Sequence, residues 1–243
     1  MTPVYSIIVP AYNEEAFLAS TLKSIINAMQ EITFSGELIV VDNNSTDATA
    51  AIAQAHGAHV VFEPVNQISR ARNAGGRVAR GDFLVFIDAD TTVTSDVLQA
   101  ALNTLATDKV CGGGAPITFD RYHAPLYRWP PAVWNGLARR FGLAAGSFLF
   151  CRRDAFDAIG GFSEKVFAAE ELLFVRLLKI WGEACDRNFC VLRLNGVISS
   201  ARKLEWFSPA RFWITLLLLG VFPFAIRYQS LCRFWYDRPS KPV

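Results

Sequence analysis

Gly81-Asp82-Phe83-Leu84-Val85-Phe86-Ile87-Asp88-Ala89-Asp90 is the stretch on which the reading of the chain turns. Phe83 to Ile87 is an unbroken apolar run of β-branched and aromatic residues, the pattern of a strand buried on both faces. Two carboxylates follow at its carboxyl end. In an extended segment residues i and i+2 project to the same side with Cα atoms about 6.5–7 Å apart, so Asp88 and Asp90 are expected to converge on one ligand. Adjacent carboxylates repel at neutral pH, and paired hard oxygen ligands point to Mg2+ or Mn2+ as the compensating cation. The structural alternative is that Asp88 is solvated and Asp90 caps a helix beginning near Thr94.

Working outward, Val4–Val9 has the pattern of a strand halted by Pro10. Asn13-Glu14-Glu15 then opens a helix to about Gln30, with Phe17, Leu18, Leu22, Ile25, Ile26 and Met29 on one face. Glu37–Val41 is a second strand, followed by Asp42-Asn43-Asn44, with Ser45 or Thr46 placed to cap a helix to His56. A third strand, His59–Phe62, precedes a polar segment and the helix Ser69–Ala79, which Gly81 stops. Four strands alternating with three helices predict an α/β domain with a mostly parallel sheet and right-handed crossovers. Ligands then gather beyond the carboxyl ends of the strands. Those ends carry Pro10-Ala11-Tyr12-Asn13-Glu14, Asp42-Asn43-Asn44, the segment 64–72 and Asp88-Ala89-Asp90. The first turn lacks Gly-x-Gly-x-x-Gly and the chain has no Gly-x-x-x-x-Gly-Lys-Ser/Thr, so neither a Rossmann dinucleotide site nor a P-loop fits.

Ser-Ile-Ile-Val-Pro-Ala-Tyr-Asn-Glu-Glu at 6–15, Val-Val-Asp-Asn-Asn-Ser-Thr-Asp at 40–47, Ser-Arg-Ala-Arg-Asn-Ala-Gly at 69–75 and the stretch 81–90 together resemble glycosyltransferase family 2. The resemblance covers about residues 4–195 and implies a GT-A fold. It further implies that a nucleotide-sugar donor is bound by Pro10, Ala11, Tyr12 and Glu14 around base and ribose, by Asp42 at the base edge, by Arg72, and by Asp88, Ala89 and Asp90 at ribose and metal. A cation bridging the phosphates would neutralise the departing nucleoside diphosphate. Asp42 has the alternative use of satisfying nearby backbone N–H groups. Arg70 sits at a variable position of the motif, where a solvated helix face competes with a phosphate contact.

After Asp90, Asp96–Ala106 is a surface helix, and Cys111-Gly112-Gly113-Gly114 is a strand whose glycines either leave room for a sugar ring or mark a bend. Arg121 to Pro131 is aromatic and basic, which suits a wall of the acceptor site; His123 there has no second histidine near it in sequence. Pro131 begins a helix to about Phe141. Gly146–Cys151 is a buried strand, Asp154–Ile159 a short helix closed by Gly160-Gly161, and Glu170-Glu171 precedes a helix Leu172–Trp181. In the family the second member of this acidic pair, usually Asp, is the general base. Here that place is held by Glu171, with Glu170 as its competitor and helix-dipole stabilisation as the structural alternative. Cys190–Leu194 is a last strand. Arg202 either contacts the diphosphate or is a snorkelling surface charge. The sequence lacks the Gln-x-x-Arg-Trp box and has no His beyond His123, which disfavours processive polymerisation.

The 243 residues suit one domain, expected at 1–203, followed by a tail at 204–243. Residues 202–243 contain seven Lys/Arg and two Asp/Glu, a charge of +5 that leaves −3 for the rest of a chain of net +2. Ten aromatics lie in the same segment. Phe212 to Ile226 is 15 residues without formal charge, about 22 Å as a helix and short of the ~30 Å hydrocarbon core. An amphipathic helical tail at the inner membrane surface is expected, with burial in a homodimer as the competitor. No room exists before Val4 for a signal peptide, and five unpaired cysteines suit a reducing compartment, so the reaction is expected in the cytoplasm; no nucleic-acid partner is expected. The sequence therefore predicts an inverting, metal-dependent transfer of a sugar, from UDP sooner than GDP, to a hydroxyl on a glycan or lipid-linked acceptor. The competitors are a sugar-phosphate nucleotidyltransferase, whose usual Gly-rich N-terminal phosphate loop is missing, and a catalytically silent binding protein.

Overall fold

A computed structural model describes residues 2–121 and 129–202, with the single positions 227, 228 and 232. The element order is β1 (Tyr5–Ala11), α1 (Leu18–Glu31), β2 (Gly36–Asp42), α2 (Thr49–Ala55), β3 (His59–Phe62), α3 (Ile68–Val78), β4 (Phe83–Ile87), β5 (Thr91–Thr92), α4 (Ser95–Ala106), β6 (Val110–Gly114), β7 (Ile117–Phe119), α5 (Trp129–Phe141), β8 (Phe148–Arg152), α6 (Arg153–Ile159), α7 (Glu170–Ala184), β9 (Asn188–Val191) and β10 (Val197–Ser199). Seven strands form one sheet in the order β3-β2-β1-β4-β8-β6-β9, and β5, β10 and β7 form a second. β8 runs antiparallel to both β4 and β6, while every other pairing in the large sheet is parallel. All strands except β8 therefore end on one edge. This is the α/β, mostly parallel arrangement that the alternation predicts, and it agrees with the GT-A fold that the resemblance implies.

The alternation of side chains along β1 shows why the sheet needs helices on both faces. Tyr5, Ile7 and Val9 pack with Leu18, Leu22 and Ile25 of α1 and Leu98 and Leu102 of α4. Ile8 packs on the other face with Val41, Ala71, Leu84 and Phe86. All five residues of β4 are buried, as expected for a central strand. Under its carboxyl end Phe86 meets Phe162 edge-on at 5.1 Å, and Phe162 stacks on Phe174 of α7 at 3.9 Å between centroids. Aromatic packing thus fixes the start of α7 against the end of β4.

Several elements depart from the sequence expectation. α1 begins at Leu18, because Glu14 to Phe17 form a turn in which the Glu14 carbonyl accepts from the N–H groups of Phe17 and Leu18. α2 begins at Thr49 without a side-chain cap from Ser45 or Thr46. α7 already includes Glu170 and Glu171 in its first turn. β5, β7 and β10 are two or three residues long, too short to leave a period in the sequence. Tyr122 to Arg128, including His123, and nearly all of the tail lie outside the described residues, as does the boundary at 203. Among the described residues no helix is long and apolar enough to cross a membrane.

The glycines of β6 make room for protein. A Cβ at Gly113 would lie 2.4 Å from the Cys190 carbonyl oxygen and 2.4 Å from the Phe150 ring, and one at Gly114 would lie 2.3 Å from the Ala144 Cβ. Of the two uses open in the sequence, room for a sugar ring is ruled out at Gly113 and Gly114, because Phe150, Cys190 and Ala144 fill the space. Gly113→Ala is accordingly expected to destabilise by ~1–3 kcal/mol through overpacking, lowering Tm by roughly 2–4 °C per kcal/mol. A thermal melt unchanged from wild type would contradict this packing.

Candidate functional site

The site edge is assembled from the loops that follow β1, β2 and β4. The first two are joined by side-chain to backbone hydrogen bonds: Asn13 N–H donates to Ser45 Oγ at 3.0 Å, Glu14 N–H to Thr49 Oγ1 at 2.8 Å, and Thr46 N–H to Asn13 Oδ1 at 2.8 Å. Asn13 adopts φ 51°, a left-handed conformation that asparagine tolerates better than most residues. Pro10 and Ala11 are buried in β1, and Tyr12 is half-buried at its end. Asp42 ends β2 almost fully buried and accepts the Ser45 N–H at 3.0 Å. The loop-stabilising use of this carboxylate is thus realised, and Asp42 stands on the edge shared with Glu14 and Asp88.

Asp88 and Asp90 are not on an extended segment. Thr91 N–H donates to the Asp88 carbonyl at 3.1 Å, closing a turn, so the two carboxylates diverge to different partners. Arg72, 1% exposed, donates to Asp88 Oδ1 at 3.0 Å and to Glu170 Oε1 at 2.8 Å. Arg202, 5% exposed, makes a two-pronged pair with Glu14 and lies 3.0 Å from Asp90 Oδ2. Its guanidinium also sits 4.6 Å from the Phe17 ring centroid, a favourable cation–π distance. Arg202 is therefore neither a snorkelling surface charge nor remote from the carboxylates. Burial opposes the charge on each arginine, but Asp88, Glu170 and Glu171 around Arg72, and Glu14, Asp90 and Asp88 around Arg202, outweigh it and hold both protonated. Asp90 caps no helix; Thr94 occupies the N-cap of α4.

Glu170 and Glu171 are adjacent in sequence and differ in environment. Glu170 is buried and committed to Arg72, whereas Glu171 is half-buried and, among the described residues, has no such ion pair. Burial, and then the Glu170 carboxylate, push the Glu171 carboxyl from 4.5 up to about 8, against a smaller opposing effect of Arg72. Ala169 at the N-cap of α7 adopts φ 58°, a left-handed conformation unusual for alanine. It lies immediately before the acidic pair.

The loop leading to these glutamates is held by residues that the motifs did not single out. Asn73 donates to the Phe162 carbonyl at 2.9 Å and accepts from its N–H at 2.8 Å, and Gln67 Nε2 donates to the carbonyls of Glu164 and Val166 at 2.9 and 2.8 Å. Asn43 completes the chain by accepting the Gln67 N–H at 2.9 Å. Arg70 joins it, pairing with Glu164 at 2.9 Å and Glu63 at 3.4 Å, so it is not merely solvated. Asn73 adjoins Arg72 in the quoted motif, and that adjacency is the one signal in the sequence that pointed to it.

Among the described residues no group of three or more His, Cys, Asp or Glu gathers as a metal cluster. The donor chemistry of Asp88 and Asp90 nonetheless suits a hard cation that takes its remaining oxygens from phosphate and water, as Mg2+ commonly does. Such a cation and Arg202 would compete for Asp90. Removing Arg202 leaves Glu14 buried without its two-pronged partner, so Arg202→Met is expected to destabilise by ~3–5 kcal/mol. Adding Glu14→Gln should recover part of that loss, and the double-mutant cycle measures the coupling by urea unfolding. Additive effects would contradict a direct pair.

The model of Glycosyl transferase family 2 matches residues 6–160. An uncharacterized glycosyltransferase of Haemophilus influenzae is 36% identical over 108 residues, covering 42% of this chain and 42% of that protein. The putative glycosyltransferase EpsH of Bacillus subtilis is 31% identical over 159 residues, covering 58% of this chain and 45% of its own. The chain thus spans less than half the length of these curated relatives. In fold it is similar to the mannosyltransferase PcManGT from Pyrobaculum calidifontis, solved in complex with GDP-Man and Mn2+, with TM-score 0.69 and 19% identity over 100% of this chain and 66% of that one. Residues 1–349 of S. aureus TarS in complex with UDP-GlcNAc match with TM-score 0.65 and 20% identity, over 97% of this chain and 74% of that one. With the family model spanning more than half of its residues, the strand-end motifs and the fold in agreement, the chain belongs to glycosyl transferase family 2.

Proposed function

We propose that the protein transfers a sugar from a nucleoside-diphosphate donor, UDP sooner than GDP, to an acceptor hydroxyl with inversion at the anomeric carbon. The observation that carries this reading is the convergence of Glu14, Asp42, Asp88, Asp90 and the Glu170-Glu171 pair on one edge of the sheet, tied together by Arg72 and Arg202. Base and ribose would lie against Pro10, Ala11, Tyr12 and Asp42. Asp88 and Asp90 would hold Mn2+ or Mg2+, which when bound supplies positive charge to the departing diphosphate. Arg202, freed from Asp90, stands where it can add a second positive charge to the same phosphates. The relatives support this reading: PcManGT was solved with GDP-Man and Mn2+, and TarS with UDP-GlcNAc.

Glu171 is our choice of general base, because Glu170 is occupied by Arg72 while Glu171 is not. A carboxyl held near 8 is a strong base for its type, and its proton affinity is matched to neutral operating conditions. The acceptor hydroxyl would give its proton to Glu171 as its oxygen attacks opposite the diphosphate.

Three measurements check these roles. Asp90→Ala is expected to abolish metal-dependent UDP binding by titration calorimetry while the fold survives; unchanged affinity would overturn the site. Glu171→Gln should keep donor binding and lose ~10²–10⁴-fold in turnover, and the wild-type rise of kcat/KM through about pH 8 should vanish with it. The same effect from Glu170→Gln would shift the base by one residue. The stability of the variants adds an independent sign. A folded pKa raised from 4.5 to about 8 means that the protonated carboxyl favours the folded state, a contribution complete below the ordinary value and lost as pH rises through the raised one. Glu171→Gln, neutral throughout, should therefore gain in Tm over wild type as pH increases across that window.

We also propose that the basic, aromatic tail holds the enzyme at the inner face of a membrane, near a lipid-linked or membrane-proximal acceptor. The charge of +3 on residues 204–243 and the 15-residue uncharged run suit anionic headgroups, at about 1 kcal/mol per basic residue close to the surface. Flotation with anionic vesicles is the expected outcome. A protein that remains in the soluble fraction and is dimeric by light scattering would make the tail a subunit contact instead.

A further inference from the structure

Two stretches of the sequence, 121–153 and 187–204, contain no Asp or Glu, and the fold brings Arg139 and Gly142 of the first together with Phe189 to Asn195 of the second at a cavity. This cavity, of about 710 Å3, is lined by Arg139 and Gly142 at the end of α5, Phe189 and Val191 of β9, and Arg193 and Leu194 beyond it. Its volume lies in the range of small-molecule sites. Both guanidiniums are exposed, and among the described residues neither has a carboxylate partner or a hydrogen bond. Elsewhere Arg70, Arg72, Arg80, Arg152, Arg187 and Arg202 are each held by a carboxylate.

A third cation stands at the rim. Lys179 Nζ donates to the Phe141 carbonyl at 2.6 Å and lies 5.8 Å from the Phe189 ring centroid, so it also neutralises the carbonyl end of α5. Three cations and no acid, beside the apolar wall of Phe189, Val191 and Leu194, suit a group of concentrated negative charge attached to carbon. The planar guanidinium fork fits phosphate oxygens better than a single point charge does.

The position of the cavity relates it to the transfer site. β9 is parallel to β6 and, through antiparallel β8, to β4. Its carboxyl end therefore opens on the same edge as Asp88, three strand spacings or about 14 Å away. α7 packs on β6 and β9, and its eight-residue interval from Glu171 to Lys179 is about 12 Å along the axis.

We propose that this cavity binds the phosphate ester of an anionic acceptor, about 12–14 Å from the hydroxyl presented to Glu171. That span corresponds to one or two sugar-sized units. The proposal rests on the glycosyltransferase reading and narrows its acceptor class. The ester can belong to a soluble molecule or to a lipid headgroup, and the chemistry at Arg139 and Arg193 is the same.

The full-length protein should be titrated with glycerol 3-phosphate in the presence of saturating UDP. In parallel it should be sedimented with phosphatidylcholine vesicles with and without phosphatidic acid. The Arg139→Ala/Arg193→Ala variant serves as the comparison, and Arg77→Ala, an exposed arginine outside the cavity, as the control. Wild type and the control should bind the phosphate ester, and the double variant should bind at least ~10-fold more weakly. Binding in solution identifies a soluble ester, and binding only to phosphatidic acid vesicles identifies a lipid one. Equal affinity in wild type and the double variant, or no phosphate binding in either arm, would overturn the proposal. The UDP titration separates it from the reading on which it rests: failure to bind UDP with phosphate binding intact removes the donor site and leaves the cavity.

Discussion

The structure depends on a charge constraint: Glu14, Asp88, Asp90, Glu170 and Glu171 are brought to one sheet edge, where Arg72 and Arg202 are the buried counter-charges among the described residues. A buried carboxylate without a partner is expensive, so each arginine must satisfy more than one. Arg72 joins the end of β4 to the start of α7, and Arg202 joins the turn after β1 to the turn after β4. Each link crosses segments far apart in sequence, and each is rigid because a guanidinium has fixed geometry. Two positive charges against five carboxyls leave an excess of negative potential. The raised proton affinity of Glu171 relieves part of it, and a divalent cation arriving with a diphosphate would meet the remainder.

The fold was legible to the extent that its information is periodic. β4 was read to the residue because five buried apolar positions lie between Asp82 and Asp88, and β1 to β3 with their helices followed from the alternation of periods 2 and 3.6. The site motifs were legible because they stand at strand ends, where a parallel sheet gathers ligands. Arg202 stood among the candidates, but its pairing with Glu14 and Asp90 was not legible. Its position depends on β10, a three-residue strand that pairs with β5 and β7, and no local pattern announces that pairing. The glycines of β6 left two uses open for a related reason. A glycine reports that something comes close, and only the three-dimensional neighbours reveal that it is the Cys190 carbonyl and the Phe150 ring.

The polar chain Asn43, Gln67, Glu164 and Asn73 shows how the end of β2 and the acidic pair are kept in register. It runs from the end of β2, through the start of α3, to the loop before α7. Amide side chains suit this use, since each both donates and accepts, and buried backbone groups of an irregular loop need such partners. Phe162 adds the apolar half of the attachment, stacked on Phe174 with the Arg72 guanidinium 5.2 Å from its ring centroid. Disturbing the loop would therefore loosen the buried arginine as well as the glutamates.

The pairing of Glu14 with Arg202 spans 188 positions, which bears on the order in which the protein can mature. Strands β1 to β4 and their crossovers emerge first from the ribosome and have most of the contacts that a parallel sheet needs. At that stage Glu14 and Asp90 are present without their shared counter-charge, and the half-built site is a patch of mutually repelling carboxylates. The turn after β4 has its own closing bond and one from Thr21 Oγ1 to the Ala89 carbonyl, but the counter-charge for Asp90 comes only when β10 arrives to pair with β5 and deliver Arg202. Completion of this charged edge is thus a late event in biosynthesis, and a nascent chain halted before β10 would have the sheet without the ion pairs that Arg202 supplies to Glu14 and Asp90.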